Sequence, residues 1–289
     1  MSLNLVNEPW IESPFFYQIL NLNKVATASI GTLGILSKKY SKKINLTSMD
    51  PLSLHKNLQT LARNKIKHVI LEASSHGLAQ KRLDNLNINF GVFTNFSHDH
   101  LDYHKNMKSY FNSKMHLFNS LLSKKSIAIT DKENKEFKII KKISNLRKIK
   151  KFTIGEKSGT IRILYNKYKG NKQIVKIFTD KETSIIEVPL IGYFQVKNLL
   201  MAVLAASLCG LDKKKIFSQL NKIKPVSGRL ENIVNLNNNS NIIVDFAHTP
   251  DALLKSLLAL QKQFKKEIII VFGCGGERDV NKRLAMGKI

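Results

Sequence analysis

The chain has 289 residues, 43% of them hydrophobic, enough to bury the core of one large domain or two ordinary ones. Its formal charge of +26 comes from 47 basic residues against 21 acidic ones, and its two cysteines, Cys209 and Cys274, exclude a disulfide framework and suit a reducing compartment. No apolar stretch reaches the roughly 18 residues a membrane span needs, and Glu8 and Glu12 stand where a leader's apolar run would be, so the expectation is a soluble, cytoplasmic chain with no membrane partner.

The charge invites a nucleic-acid reading. Only seven of the basic residues are arginine (63, 82, 147, 162, 229, 278 and 283), and lysine supplies the other 40. Sites for nucleic acid favour clustered Arg and aromatic platforms. Neither pattern occurs, so the reading is a solvated basic surface with no specific nucleic-acid partner.

Taken in order, apolar runs alternate with helical patterns, which argues for an α/β sheet. His68 to Ala73 (HVILEA) predicts a short buried strand, and Ile88 to Asn95 (INFGVFTN) a second, joined by a polar connector over Ser75 to Leu86. The segment HKNMKSYFNSKMHLFNSLL predicts a helix whose apolar face carries Met107, Tyr110, Phe111, Leu117, Phe118 and Leu121. Ser126 to Thr130 predicts a third strand. From Lys151 to Leu190, short β-branched runs between Gly and charged turns predict antiparallel hairpins added to the sheet. Gly192 to Leu211 predicts a helix. Asn235 to Asn241 (NLNNNSN) reads as a linker. A strand (Ile242 to Asp245), a helix begun by Thr249 as N-cap and Pro250 as first residue, and a strand (Glu267 to Phe272) follow.

Ligands of open α/β sheets collect beyond the carboxyl ends of the strands. Glu72 ends the first strand and is followed by Ser74, Ser75, His76 and Gly77. The second strand runs into TNFSHDHLDYH, which packs His98, Asp99, His100, Asp102 and His104 into seven positions. Oxygen and imidazole ligands at that density suggest a metal. Zinc is a rival, the carboxylates and hydroxyls suit magnesium with a nucleotide, and a plain polar loop is the alternative to both. Lys114 falls on the apolar face of the following helix. An amine there must snorkel, find an anion or lose its charge, and a neutral amine can react with carbon dioxide to give a carbamate.

Eight motifs then run in one order: GTLG (Gly31 to Gly34), NLTSMDPLSLHK, LEASSHGLAQKRL, FTNFSHDHLDYH, YFNSKMHLF, PVSGRLE, VDFAHTPDAL and VFGCGGERDVNKR. Together they resemble the Mur ligases, ATP-dependent amide-forming enzymes of peptidoglycan synthesis, over roughly residues 15 to 289. The Ser-Ser-His-Gly-Leu run and the Asp-Pro-Leu segment favour the MurE branch, which adds the third residue to UDP-N-acetylmuramoyl-L-alanyl-D-glutamate.

The resemblance implies a mostly parallel sheet of the P-loop-type central domain with added antiparallel strands over residues 1–232, and the start of a Rossmann-like C-terminal domain over 233–289. It implies ATP and Mg2+ as cofactors, with the muramoyl-dipeptide and a diamino acid, meso-diaminopimelate before L-lysine, as partners of a monomer. The dipeptide's carboxylate is phosphorylated by ATP and an amine attacks the acyl phosphate. Carried over residue by residue, Glu72 and His100 bind magnesium with Lys114 carbamylated beside them. Thr47, Ser48, Ser74, Gln80 and Arg82 hold the muramoyl-dipeptide, and Arg283 contacts the incoming amino acid. Asn198, Arg229, Asp245 and His248 lie by the nucleotide. The family's phosphate loop falls near Val6 to Ile11, where this chain reads VNEPWI, without Gly, Lys or a hydroxyl. The resemblance therefore implies pieces missing at both ends, including the uridine-binding domain, and the alternative that this chain is a non-catalytic remnant.

Overall fold

The computed structural model describes residues 1–7, 12–236, 240–274 and 280–289. Strand β1 (Ser2–Asn7) is followed by α1 (Glu12–Leu22), then a tight hairpin of β2 (Thr27–Gly31) and β3 (Gly34–Ser37), and α2 (Pro51–Arg63). Next come β4 (His68–Ala73), α3 (Ser75–Ala79), β5 (Ile88–Phe93), α4 (Leu101–His104) and α5 (Met107–His116), whose last turn widens into a π-type turn at Leu117–Leu121. Strand β6 (Ile127–Asp131), helix α6 (Phe137–Leu146) and strand β7 (Lys150–Gly155) lead to the meander of β8 (Ile161–Lys169), β9 (Lys172–Thr179) and β10 (Glu182–Val188). The chain continues through α7 (Tyr193–Leu208), α8 (Lys213–Phe217), the hairpin of β11 (Glu231–Asn235) and β12 (Asn241–Val244), α9 (Pro250–Phe264) and α10 (Val280–Gly287).

Among the described residues, ten strands form one sheet in the order β10-β9-β8-β7-β6-β5-β1-β4-β2-β3. From β2 to β8 all neighbours are parallel, while β3, β9 and β10 add antiparallel edges. The sheet is two-sided, so its central strands read as continuous apolar runs. Successive residues serve opposite faces: Ile70 packs with α1 and α7, and its neighbours Val69 and Leu71 with α2 and the Leu117–Phe118 turn. Helix α7 is buried on nearly every side, including Val196, Leu199, Leu200 and Val203, as the apolar run over residues 199–206 requires.

The three expected central strands are β4, β5 and β6, and the expected antiparallel additions are β8 to β10. Two expectations fail locally. The Asn-rich run at 235–241 connects the antiparallel pair β11–β12 and is not a free linker. Glu267–Phe272 stands outside both sheets, with Ile269 and Val271 93% and 96% exposed; apolar alternation alone makes no strand without a ladder partner. The structure also adds β1, which the apolar pattern did not announce. It sits between β4 and β5 at the centre of the sheet and precedes α1, the strand-then-helix frame in which a phosphate loop is expected. Residues 8–11 of that expected loop lie outside the described residues.

Candidate active site at the carboxyl ends of the parallel strands

Glu72 is the second-last residue of β4 and only 6% exposed. The β2–β3 hairpin caps it: the Thr32 backbone N–H donates to Oε2 at 2.5 Å and the Thr32 hydroxyl to Oε1 at 3.0 Å. Gly31 makes this approach possible, since a Cβ there would lie 2.1 Å from Glu72 Oε2. Glu72, Thr32, Ser13, Arg229 and Phe246 line one cavity, open at the strand ends.

Beside Glu72 the expected dipeptide-holding residues form one hydrogen-bonded chain. Thr47 Oγ1 lies 3.0 Å from Thr32 Oγ1. Ser48 Oγ donates to the Glu72 carbonyl at 3.0 Å and lies 2.9 Å from Ser74 Oγ, which in turn caps α3 by accepting from Gly77 N–H. Arg82 donates to the Ser48 carbonyl at 2.7 Å and to Gln80 Oε1 at 2.5 Å, and Gln80 Nε2 donates to the Tyr103 hydroxyl at 3.0 Å. Gly77 lets the two segments meet, because a Cβ there would lie 2.5 Å from Ser48 Cβ. The turn before Pro51 is separate: Asp50 caps α2 through Ser53 N–H.

After β5 the chain turns sharply. His100 adopts φ 53°, a left-handed conformation uncommon outside glycine, costing about 1 kcal/mol or more. Its backbone N–H donates to Asp99 Oδ1 at 2.8 Å. Three imidazoles gather here, His76 lying 5.0 Å from His100 and 5.5 Å from His104 between ring centroids. Burial, then the charges of His76, His100 and Lys114, push His104 down to about 4. Burial, then His100, also lowers His76. Burial works to raise Asp99, but the hydrogen bond from His248 and the charge of His100 outweigh it and hold the carboxyl at about 2. His98 and Asp102 are exposed, and among the described residues no three His, Cys, Asp or Glu side chains converge to hold a metal ion. The density of ligand types over 98–104 therefore does not amount to a cage.

Lys114 lies on α5 at 0% exposure, its Nζ 4.9 Å from the centre of the Tyr110 ring, so it does not snorkel. Tyr110 is itself fully buried and stacks on His104, centroids 5.1 Å apart.

The segment after α8 closes over these strand ends. Arg229 lies over the Phe246 ring at 4.9 Å. Burial pushes its guanidinium below the ordinary value while Asp245 and Glu72 pull it back up. Asp245 accepts from the backbone N–H groups of Leu230 and Ala247, both at 2.8 Å. His248 Nε2 lies 3.5 Å from Asp99 Oδ2, joining the two halves. Thr249 caps α9 through Ala252 N–H, with Pro250 in its first turn, as the sequence predicts. Asn198 is buried in α7. Arg283 is exposed on α10, which packs on α9.

Several neighbours escaped the sequence reading. Thr32 sits inside the GTLG motif, which signals the hairpin but not the contact. Tyr110 reads only as part of an apolar helix face, and Tyr103 carries no assignment in the sequence. Lys197, whose Nζ is 2.9 Å from Asp131, 3.6 Å from Glu156 and 3.9 Å from Glu133, joins residues from the ends of β6 and β7 with no sequence signature.

Comparison with known proteins decides the family. Residues 14–206 match the Mur ligase middle domain and residues 228–289 match the family described as Mur ligase, glutamate ligase domain. The chain belongs to the Mur ligase family. Among its relatives, the UDP-N-acetylmuramoyl-L-alanyl-D-glutamate--2,6-diaminopimelate ligase of Rickettsia bellii is 39% identical over 95% of this chain and 58% of its own length. The protein of the same name from Zymomonas mobilis is 37% identical over 94% and 56%. A solved structure under that name matches with TM-score 0.80 at 27% identity, over 99% of this chain and 58% of that one. The apo form of L. casei FPGS, at 14% identity and TM-score 0.70 over 92% and 72%, shares the fold. The chain thus spans somewhat over half the length of the curated relatives it matches.

Proposed function

We propose that this Mur ligase chain carries the central machinery for joining a diamino acid, meso-diaminopimelate before L-lysine, to UDP-N-acetylmuramoyl-L-alanyl-D-glutamate at the expense of ATP. The observation that carries the reading is the hydrogen-bonded set beside buried Glu72, in which Ser48 meets both Ser74 and Arg82, Arg82 meets Gln80, and Thr47 meets Thr32. It sets hydroxyls, an amide and a guanidinium beside the strand ends, donors suited to a carboxylate-rich ligand. The names of the Rickettsia and Zymomonas relatives agree with it. In this reading residues 1–232 are the central domain and 233–289 begin the C-terminal one.

Arg82 and Gln80 fix the dipeptide's orientation, and Ser48 and Ser74 hold its reacting end against β4. Arg229, Asp245, His248 and Asn198 face the nucleotide, with Arg229 a cation close enough to feel the charge of Glu72. Arg283 meets the incoming amino acid. The donor set fits a magnesium ion, which keeps several waters and needs only one or two protein carboxylates besides phosphate. Glu72 and His100 would hold it, with carbamylated Lys114 as a further oxygen donor. When bound, it offsets the negative charge of the phosphates and of the acyl phosphate made from the dipeptide. Complete burial of Lys114 favours a form without ammonium charge.

The test is a chimera in which residues 12–289 replace the matching segment of the Rickettsia bellii relative. Ligation of diaminopimelate should survive, and fall at least a hundredfold on Lys114→Arg. A folded chimera without ligation, or one indifferent to Lys114→Arg, overturns the reading. A second reading, a remnant that binds ligands without turnover, is favoured by the sequence Val6 to Ile11, which offers no phosphate-loop Gly or Lys.

A further inference from the structure

Next to Lys114, two buried polar atoms on stacked rings are left unused by the fold. Tyr110 Oη and His104 Nε2 are both buried and without a hydrogen-bond partner. Tyr110 is 0% and His104 4% exposed, and the two rings stack 5.1 Å apart at 27°. Lys114 Nζ lies over the same Tyr110 ring. A buried polar group without a partner costs about 1–3 kcal/mol. Two on adjacent rings around one buried lysine call for an explanation.

A phenol O–H is a donor, and Nε2 of a neutral imidazole is one in its Nε2–H tautomer, so an acceptor with more than one oxygen would satisfy both. A lysine ammonium has only donors and supplies none. A lysine carbamate supplies two oxygens on a side chain that already lies over the Tyr110 ring.

We propose that Tyr110 and His104 are positioning residues that hold the Lys114 carbamate by donating hydrogen bonds to it. The inference rests on the reading of Lys114 given above. The modification itself balances simply. The neutral amine attacks the carbon of carbon dioxide and forms the N–C bond, one C–O π pair moves onto oxygen, and one proton leaves the nitrogen for solvent. Neither Tyr110 nor His104 need react. Each fills an acceptor position that would otherwise face apolar neighbours, and together they fix the plane of the carbamate beside the β4 and β5 ends.

The experiment uses the chain as it is, incubated with 13C-bicarbonate at fixed pH, and reads the carbamate carbon by NMR with Lys114→Arg as blank. One hydrogen bond to a charged acceptor is worth enough to shift an equilibrium about tenfold. Tyr110→Phe and His104→Leu should each lower carbamate occupancy about tenfold, while thermal melting of Tyr110→Phe stays unchanged or rises, since the oxygen it removes is unpaired. His104→Gln, which restores a donor, should recover most of the signal. If His104→Leu fails to fold, Tyr110→Phe, lacking a single oxygen, carries the test. A Lys114-dependent signal equally strong in Tyr110→Phe overturns this inference and leaves the Lys114 reading standing. No Lys114-dependent signal in the unaltered chain overturns both.

Discussion

Gly31→Ala is the sharpest test of how the site is built. Its φ is ordinary, so an alanine there meets no backbone strain and the effect comes from space alone. The new Cβ would lie 2.1 Å from Glu72 Oε2 and 2.8 Å from Glu72 Cβ. The carboxylate can swing, but Cβ is fixed to β4, whose register holds Ile30 against Leu71. The strands must part or the hairpin must lift. Overpacking of this kind costs about 1–3 kcal/mol. Lifting the hairpin also breaks the two Thr32 bonds to a buried carboxylate, each bond to a charged group being worth about 1.5–3 kcal/mol. Allowing for partial relaxation, the loss is about 2–5 kcal/mol, a fall in melting temperature of about 3–8 °C for a chain of this size. The assay is thermal melting by circular dichroism, with Gly287→Ala as control. A Cβ at Gly287, the last residue of α10, meets nothing within 4 Å, so that substitution should leave the melt close to the parent's. A Gly31→Ala chain that melts with the parent would refute the claim that hairpin and carboxylate are locked together.

Four further outcomes are expected. Thr249→Ala should cost about 1 kcal/mol in urea unfolding through loss of the α9 cap, with Thr249→Ser close to the parent. Burial pushes the Cys209 thiol up to about 12, so at pH 8 it should alkylate about a thousandfold more slowly than a free thiol. Its rate should climb only as pH nears that raised value, which peptide mapping after iodoacetamide can follow. The chain alone should release no phosphate from ATP in the presence of dipeptide precursor and diaminopimelate, because Val6 to Ile11 offers no phosphate cradle; turnover of about 1 per second or more would show that cradle to be elsewhere. Duplex DNA should bind no tighter than about micromolar at physiological salt, and a nanomolar gel shift would revive the nucleic-acid reading.

How much of this was legible beforehand depends on the element. β4, β5 and β6 announce themselves because a strand buried on both faces needs an unbroken apolar run. β8 to β10 show through their turns. β1 does not: Leu3, Asn4 and Leu5 carry too little apolar signal, and its place comes from pairing with β4 and β5. Glu267–Phe272 shows the reverse, a strand-like run with no ladder. At the site, the motifs single out Ser48, Ser74, Gln80 and Arg82, which hydrogen bonds join in the fold. It could not reveal Thr32 over Glu72 or Lys197 among three carboxylates, because those contacts cross 40 residues or more in sequence and leave no local pattern.

The central position of β1 bears on how the chain is made. Its two neighbours in the sheet, β4 and β5, follow it by about 66 and 86 residues. At ribosomal speeds of about 5–20 residues per second, β1 waits about 3–13 s before the first of them has been synthesised. The β2–β3 hairpin and α2 can take shape in that interval, but neither can close on the centre of the sheet. During those seconds an unpaired strand is held open at the ribosome, where the sheet will later be most protected. A substitution that raised the stickiness of β1 would therefore be felt in the yield of folded chain, even where the finished protein melts at the same temperature.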